Sequence, residues 1–296
     1  MDKNHPASTL AEHMAGRNAS IDVFNDKNVE IDATRIQALF DNQKTSTFLQ
    51  DLNKLDVEPL KECCKMFISR LQRNVHVIYV ETRQCHSAWL EERKFRITGS
   101  VAYRIFTYGK NRRSDWKKKS LGYFYPKPFS NCFMKHGLDN EPLARKSYAQ
   151  SIQPLVIVES GLVVSHENSW LGYSPDGIIF DGDQPLKLIE IKCPYGGKTK
   201  KLKEVLKSLT WLIKNDGKYS LQKNHSYFTQ IQIGMALLNL PVTEFIIYAP
   251  FDDQFISFPV EFDPAYAKDL LHSLKLLYFD KMIHHACENE NKGAKE

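Results

Sequence analysis

The sequence has no apolar run approaching the length of a membrane span. Its first residues also lack the charged, apolar and small-residue succession of a secretory signal. Membrane and secreted proteins are therefore not expected, and the reading is a soluble, intracellular protein. Cysteine stands at six positions (63, 64, 85, 132, 193 and 287), but no two form a C-x-x-C pair. The thiols read as free in a reducing compartment, with neither a disulfide frame nor a zinc site. His284-His285-Ala286-Cys287 carries ligand atoms but reads as a polar helix end. No internal repeat is present, which sets aside solenoids and propellers.

What is present is ordinary in bulk and uneven in detail. A chain of 296 residues is ample for a large core, and 42% apolar with 25% charged residues is usual for a globular protein. The net charge of +5 is concentrated: residues 81–130 hold twelve Lys/Arg against four Asp/Glu. Such a block suits an acidic polymer as partner. Residues 1–80 are balanced, with ten basic and eleven acidic residues.

The most informative stretch is Trp170 to Lys198. Ser174-Pro175-Asp176-Gly177 suits a tight turn, because proline pre-sets φ and glycine accepts positive φ. Gly177 to Phe180 reads as a strand, Asp181-Gly182-Asp183 as a hairpin turn, and the alternation from Leu186 to Lys192 as a second strand. Period two puts Glu190 and Lys192 on one face. The hairpin carries Asp176 beside Glu190, so two carboxylates and an ammonium converge on one sheet edge. Burying them costs several kcal/mol unless they are paired or hold a cation. Hard oxygen ligands on rigid strands suit Mg²⁺ or Mn²⁺.

Elsewhere, residues 1–30 read as a loose arm, and Ile31 to Arg73 as short helices with Ile36, Leu39, Phe40, Leu60, Cys63, Cys64 and Phe67 on apolar faces. Helix signals resume at Glu81, and Val101 to Gly109 is helical with Thr98 or Ser100 as N-cap, a start whose free N–H groups suit a phosphate. Lys110 to Ser120 reads as a basic loop with one tryptophan; backbone tracking, nuclear import and a solvated surface all remain open for it.

Phe133 to Ala144 is helical, with Gly137 and Glu141 on one face. Gly137 is expected to let this helix approach the sheet, and Pro142 to kink it. Leu155 to Val164 is β-rich and broken at Gly161, and Lys198 to Lys214 reads as a basic helical insertion. Ser226 to Leu237 is a helix ended by Pro241, on which Gln230 and Gln232 lie too close to share a face. Glu244–Ala249 and Phe255–Glu261 are strands, and Ala265 to His284 is a closing helix. This order is α/β with a mixed sheet.

Pro175-Asp176…Glu190-Ile191-Lys192 resembles the PD-(D/E)XK nuclease signature. The longer wording SPDG…EIKCP is similar to the branch holding phage lambda exonuclease and the YqaJ-like viral recombinases. The resemblance covers about Glu81 to Ile283 in five segments. It implies a restriction-endonuclease-like core, a central mixed β-sheet flanked by helices, preceded by an N-terminal helical extension. Residues 1–80 form that arm and extension, and residues 81–296 the nuclease domain.

The implied activity is a Mg²⁺-dependent exonuclease, with Mn²⁺ able to substitute, acting on linear duplex DNA in recombination or repair and preferring a 5′-phosphate. The alternatives are a structure-selective endonuclease or junction resolvase, and a decayed DNA-binding module. Asp176, Glu190 and the Ile191 carbonyl fall on the metal positions, with Lys192, Glu141 and Gln230 as their catalytic companions. Trp89-x-x-x-Arg93…Ile97-Thr98-Gly99-Ser100 puts Arg93 and Ser100 on the 5′-phosphate positions, although Gly99 stands where the family commonly has alanine. Arg112, Arg113 and Lys117 are expected to contact the DNA backbone. DNA is the implied partner, with a strand-annealing or recombination protein and a homo-oligomer as further expectations. The implied compartment is the nucleus in a eukaryote and the cytoplasm otherwise.

Overall fold

The computed structural model describes residues 26–293 apart from 60 and 128, with side chains from 33 to 290. The arm expected at residues 1–30 lies outside the described residues up to 25; residues 26–30 already belong to helix α1 (Asp26–Lys44). After α1 come α2 (Thr47–Asn53), α3 (Glu62–Leu71), α4 (Val75–Gln84) and α5 (His86–Lys94). Leu39, Phe40, Leu49, Leu52, Cys64 and Phe67 from these helices are buried in the same apolar core as the sheet. Leu60, expected on an apolar face there, is one of the two internal positions outside the described residues. Asn42 on α1 donates to the carbonyls of Leu238 (2.8 Å) and Asn239 (3.1 Å), far along the chain.

The short strand β1 (Ile97–Thr98) leads into α6 (Gly99–Gly109), then α7 (Trp116–Phe124) and α8 (Cys132–Ser151). Strands β2 (Val156–Val158), β3 (Val163–Val164), β4 (Leu171–Tyr173), β5 (Gly177–Asp181) and β6 (Gln184–Lys192) follow. Gly182, with φ +56°, turns the β5–β6 hairpin. A short helix α9 (Leu202–Lys207), strands β7 (Leu212–Asn215) and β8 (Lys218–Leu221), and helix α10 (Ser226–Leu238) lead to β9 (Val242–Ala249) and β10 (Gln254–Glu261). The chain closes with α11 (Pro264–Leu276), a π-helical segment (Leu277–Met282) and α12 (Ile283–Gly293).

The main sheet has the order β10-β9-β6-β5-β2, antiparallel except where β6 runs parallel to β9. A parallel pair needs a crossover, and the segment from α9 to α10 supplies it. Side chains alternate across the sheet. Ile179, Ile189, Ile191, Ile246 and Tyr248 pack beneath Ala144 and Tyr148 of α8. Ile178, Phe180, Leu188, Phe245 and Ile247 join the larger core shared with α10. Each such buried side chain contributes about 1.5–3 kcal/mol. Glu190 and Lys192 therefore enter on the α10 side, and Ile191 on the α8 side.

Several expectations are corrected. Lys110 to Ser120 is only half loop: Asp115 caps α7 by accepting from the Lys118 N–H (2.9 Å), so Trp116 onward is helical. The expected helix over Lys198 to Lys214 stops at Lys207, and a hairpin follows. Asp216 (φ 49°) and Gly217 (φ 80°) form its turn, the Asp-Gly pair that a two-residue hairpin favours. Helix α10 ends at Asn239, whose left-handed backbone caps it, before Pro241 is reached. Gly137 meets nothing within 4 Å, so α8 touches the sheet through Ala144 and Tyr148 instead. Among the described residues, no helix is long and apolar enough to cross a membrane.

Candidate active site

Strand β5 begins at Gly177, which pairs with Ile189, so β6 extends past it with an open edge. The Ile191 N–H, left without a strand partner there, donates to Asp176 Oδ2 at 2.7 Å. In an extended strand a residue's N–H and carbonyl face the same edge. Ile191 therefore presents its carbonyl toward Asp176 as well. Asp176 thus stands at the mouth of the hairpin, held from its turn.

Glu190 is fully buried and satisfied from three directions. Tyr173 donates its hydroxyl to Oε2 at 2.9 Å, Gln230 Nε2 donates to Oε1 at 2.6 Å, and the Lys192 ammonium is paired with Oε1. Lys192 also lies over the Tyr227 ring at 4.7 Å. Gln232 faces away: its amide donates to the Glu261 carbonyl (2.9 Å) and accepts from the Asp263 N–H (2.8 Å). Gln230 alone of the two thus reaches the carboxylates.

Glu141 approaches from the middle of α8, one turn before Arg145, with which it pairs at 2.6 Å. Arg145 also donates to the Asp176 carbonyl (2.9 Å) and pairs with Glu159 (2.5 Å). Burial first, then Glu190 and Glu141, push the Asp176 carboxyl well above its usual range. Burial pulls the Lys192 ammonium down, but Glu190 and Asp176 outweigh it and leave it raised. A buried carboxylate raised by its carboxylate neighbours is short of positive charge. Oxygen donors of this hardness fit a divalent cation such as Mg²⁺.

A second cluster of polar side chains adjoins the first through Ser174-Pro175-Asp176. Ser174 Oγ accepts from Trp89 Nε1 (2.9 Å) and from Arg93 (3.3 Å). Arg93 also donates to Thr98 Oγ1 (3.3 Å) and Ser100 Oγ (3.0 Å), and its guanidinium lies 4.0 Å from the centre of the Trp89 ring. No carboxylate among the described residues pairs with it. Burial accordingly pulls the Arg93 guanidinium down to about 10. Thr98 is the N-cap of α6, though its side chain makes no capping bond; Ser100 stands exposed in the first turn. Arg112, Arg113 and Lys117 are exposed on the loop and helix beyond α6.

Tyr173 and Arg145 were not anticipated from the sequence. Arg145 had a signal, since Glu141 and Arg145 are spaced i, i+4 on a helix. Tyr173 had a subtler one in two glycines. A Cβ at Gly99 would lie 2.8 Å from the Tyr173 ring, and one at Gly234 would lie 2.6 Å from it. Both glycines let helices close on the ring whose hydroxyl holds Glu190. The close approach of Tyr173 gives a local reason for glycine at 99.

A family profile for the YqaJ-like viral recombinase domain matches residues 88–243. No curated protein matches the chain. Among solved structures, LHK-Exo in complex with dAMP is 23% identical, with a TM-score of 0.50 over 70% of this chain and 98% of that one. The alkaline exonuclease LHK-Exo from Laribacter hongkongensis, in another crystal structure, is 24% identical over 71% and 98%, with a TM-score of 0.49. A SOX–DNA complex is 13% identical over 88% and 92%, with a TM-score of 0.48. The first of these likenesses shows a shared, restriction-endonuclease-like fold. With the matched domain spanning Arg93, the Asp176–Lys192 hairpin and Gln230, the chain belongs to the YqaJ-like viral recombinase family.

Proposed function

We propose that the protein is a Mg²⁺-dependent deoxyribonuclease that digests linear duplex DNA from a 5′-phosphorylated end. One observation carries this reading: a half-buried guanidinium, with no carboxylate partner among the described residues, that touches a segment leading into the carboxylate cluster. Ser174 touches Arg93, and Asp176 follows two positions later, so their Cα atoms lie at most about 7 Å apart. A terminal phosphate held by Arg93 and Ser100 would leave a nearby phosphodiester at Asp176 and Glu190.

In this reading Asp176, Glu190 and the Ile191 carbonyl hold the cation, and Mn²⁺ can replace Mg²⁺. When bound, such an ion polarises a phosphoryl oxygen and makes water more acidic. The protein's own groups do the rest. Lys192, fixed between Glu190 and the Tyr227 ring, neutralises charge on the phosphate or holds the attacking water. Gln230 and Tyr173 orient Glu190 through its two oxygens. Glu141, anchored by Arg145, receives or orients water from the α8 side, where the space beside Gly137 is open.

Arg112, Arg113 and Lys117 contribute sequence-independent backbone contacts. The nuclease domain is residues 81–296, and the helices before it serve as its scaffold. End-labelled linear duplex and covalently closed circles, each with Mg²⁺ or EDTA, test the reading. Linear DNA should be shortened only with Mg²⁺ and circles spared. Ready nicking of circles would instead favour an endonuclease.

A further inference from the structure

The described residues hold a second cluster of ligand atoms, which the nuclease site does not use. Cys63 and Cys64 lie in the first turn of α3, and His284 and Cys287 in the first two turns of α12, more than two hundred residues later. The Sγ atoms of Cys63, Cys64 and Cys287 all lie within 4.8 Å of one another. Cys63 and Cys64 are 3.9 Å apart, and Cys64 and Cys287 are 3.6 Å apart. His284 Nδ1 is 3.6 Å from both Cys63 Sγ and Cys64 Sγ.

The Cys63–Cys64, Cys64–Cys287, His284–Cys63 and His284–Cys64 separations match edges of a ligand tetrahedron, whereas His284 does not stand within the same 4.8 Å of Cys287, so its ring has to turn toward Cys287 to complete the set. Zinc bonds of about 2.3 Å to sulfur and about 2.0–2.1 Å to nitrogen give edges of about 3.8 Å for S···S and about 3.6 Å for S···N. Disulfide partners would instead stand about 2.05 Å apart. A gap of this size holds one atom, which excludes a multinuclear cluster. We propose that Cys63, Cys64, Cys287 and His284 form a structural zinc site of the Cys₃His type.

The surroundings agree with this assignment. Cys64 and Cys287 are buried, and the soft thiolate set selects zinc over the hard cation of the nuclease site. Cys63 and Cys64 are adjacent in the first turn of α3. His284 and Cys287, three apart, share a helix face. The other ring nitrogen of His284, Nε2, lies 3.2 Å from a carboxylate oxygen of Glu288. A proton on Nε2 directed at Glu288 leaves Nδ1 free to bind metal, the carboxylate–histidine arrangement usual at zinc sites. Lys61 Nζ also meets Nε2, at 2.5 Å, and competes for it. The bound ion would clamp the N-terminal helices to the C-terminal one.

The full chain, expressed with zinc and purified without chelator, is assayed by elemental mass spectrometry and by exchange into Co²⁺. The expected result is one zinc per chain, with a thiolate-to-cobalt charge-transfer band after exchange. Cys64→Ser and Cys287→Ser should each lose the metal. Because a buried serine can also impair folding, His284→Ala and Glu288→Gln serve as folded comparisons, checked by circular dichroism. His284→Ala should lose the stoichiometric zinc, and Glu288→Gln should weaken zinc affinity about 10–100-fold. Asp176→Asn should keep its zinc, which separates this site from the nuclease centre. A folded wild type that takes up neither Zn²⁺ nor Co²⁺ would show a metal-free thiol cluster and overturn the proposal. Undiminished zinc in folded His284→Ala, or zinc lost from Asp176→Asn, would overturn it equally.

Discussion

Replacing Arg93 by alanine tests the end-recognition reading, and the structure sets the size of the effect. In the free protein the guanidinium hydrogen-bonds to the hydroxyls of Ser174, Thr98 and Ser100, at 3.0–3.3 Å, and lies over the Trp89 ring. Burial lowers its pKa to about 10, so burial disfavours its charge until an anion arrives. Arg93→Ala therefore strands no buried carboxylate and should melt close to the wild type.

With a phosphorylated end bound, each charge-assisted bond contributes roughly 1.5–3 kcal/mol, so losing one slows initiation by about tenfold or more. Arg93→Lys keeps the charge but loses the fork, and should fall between the two. The assay is the initial rate on duplexes differing only in a 5′-phosphate or 5′-hydroxyl. The wild type should prefer the phosphate, and Arg93→Ala should lose that preference chiefly on the phosphorylated substrate. Equal wild-type rates on the two ends would refute the reasoning.

Four further predictions concern particular residues. Gly234→Ala places a Cβ 2.6 Å from the Tyr173 ring and 3.0 Å from Leu188; overpacking should cost about 1–3 kcal/mol in urea unfolding and impair cleavage through Glu190. Gly137→Ala, in open space on a helix, should instead stabilise by up to about 1 kcal/mol. Arg96 is buried and paired with Glu92 at 2.7 Å, so Glu92→Gln should destabilise by about 3 kcal/mol, the lower end for a broken buried pair because carbonyls of Leu71 and Ser169 still hold Arg96; chemical denaturation reads this. Neutralising Arg112, Arg113, Lys117 and Lys118 should flatten the plot of log K against log[salt] by up to about 0.9 per lost phosphate contact, and an unchanged slope would leave the segment a solvated surface.

The hairpin that carries Asp176 and Glu190 was legible because every local signal agreed: Pro-Asp-Gly, Asp-Gly-Asp, and the alternating run from Leu186 to Lys192, broken only at Leu188-Ile189. That Gln230 and Gln232 face different ways followed from helical spacing, whereas the choice of Gln230 came from the family resemblance. Legibility failed where partners lie far apart in sequence. Nothing near Cys63 and Cys64 announces His284 and Cys287, and only the packing of α3 on α12 brings them together. Tyr173 failed for a related reason, since its role depends on Gly99 and Gly234 from two other helices. The hairpin at Asp216-Gly217 was legible but was masked by the basic composition around it.

Cleavage of linear duplex under single-turnover conditions, with protein saturating the DNA, tests the central claim most directly. At matched occupancy, wild type with Mg²⁺ should shorten the duplex, whereas Asp176→Asn, Glu190→Gln and Lys192→Ala should bind it with nearly unchanged affinity and leave it intact. Cleavage by Lys192→Ala or Asp176→Asn at the wild-type rate, or wild-type cleavage undiminished in EDTA, would contradict the account.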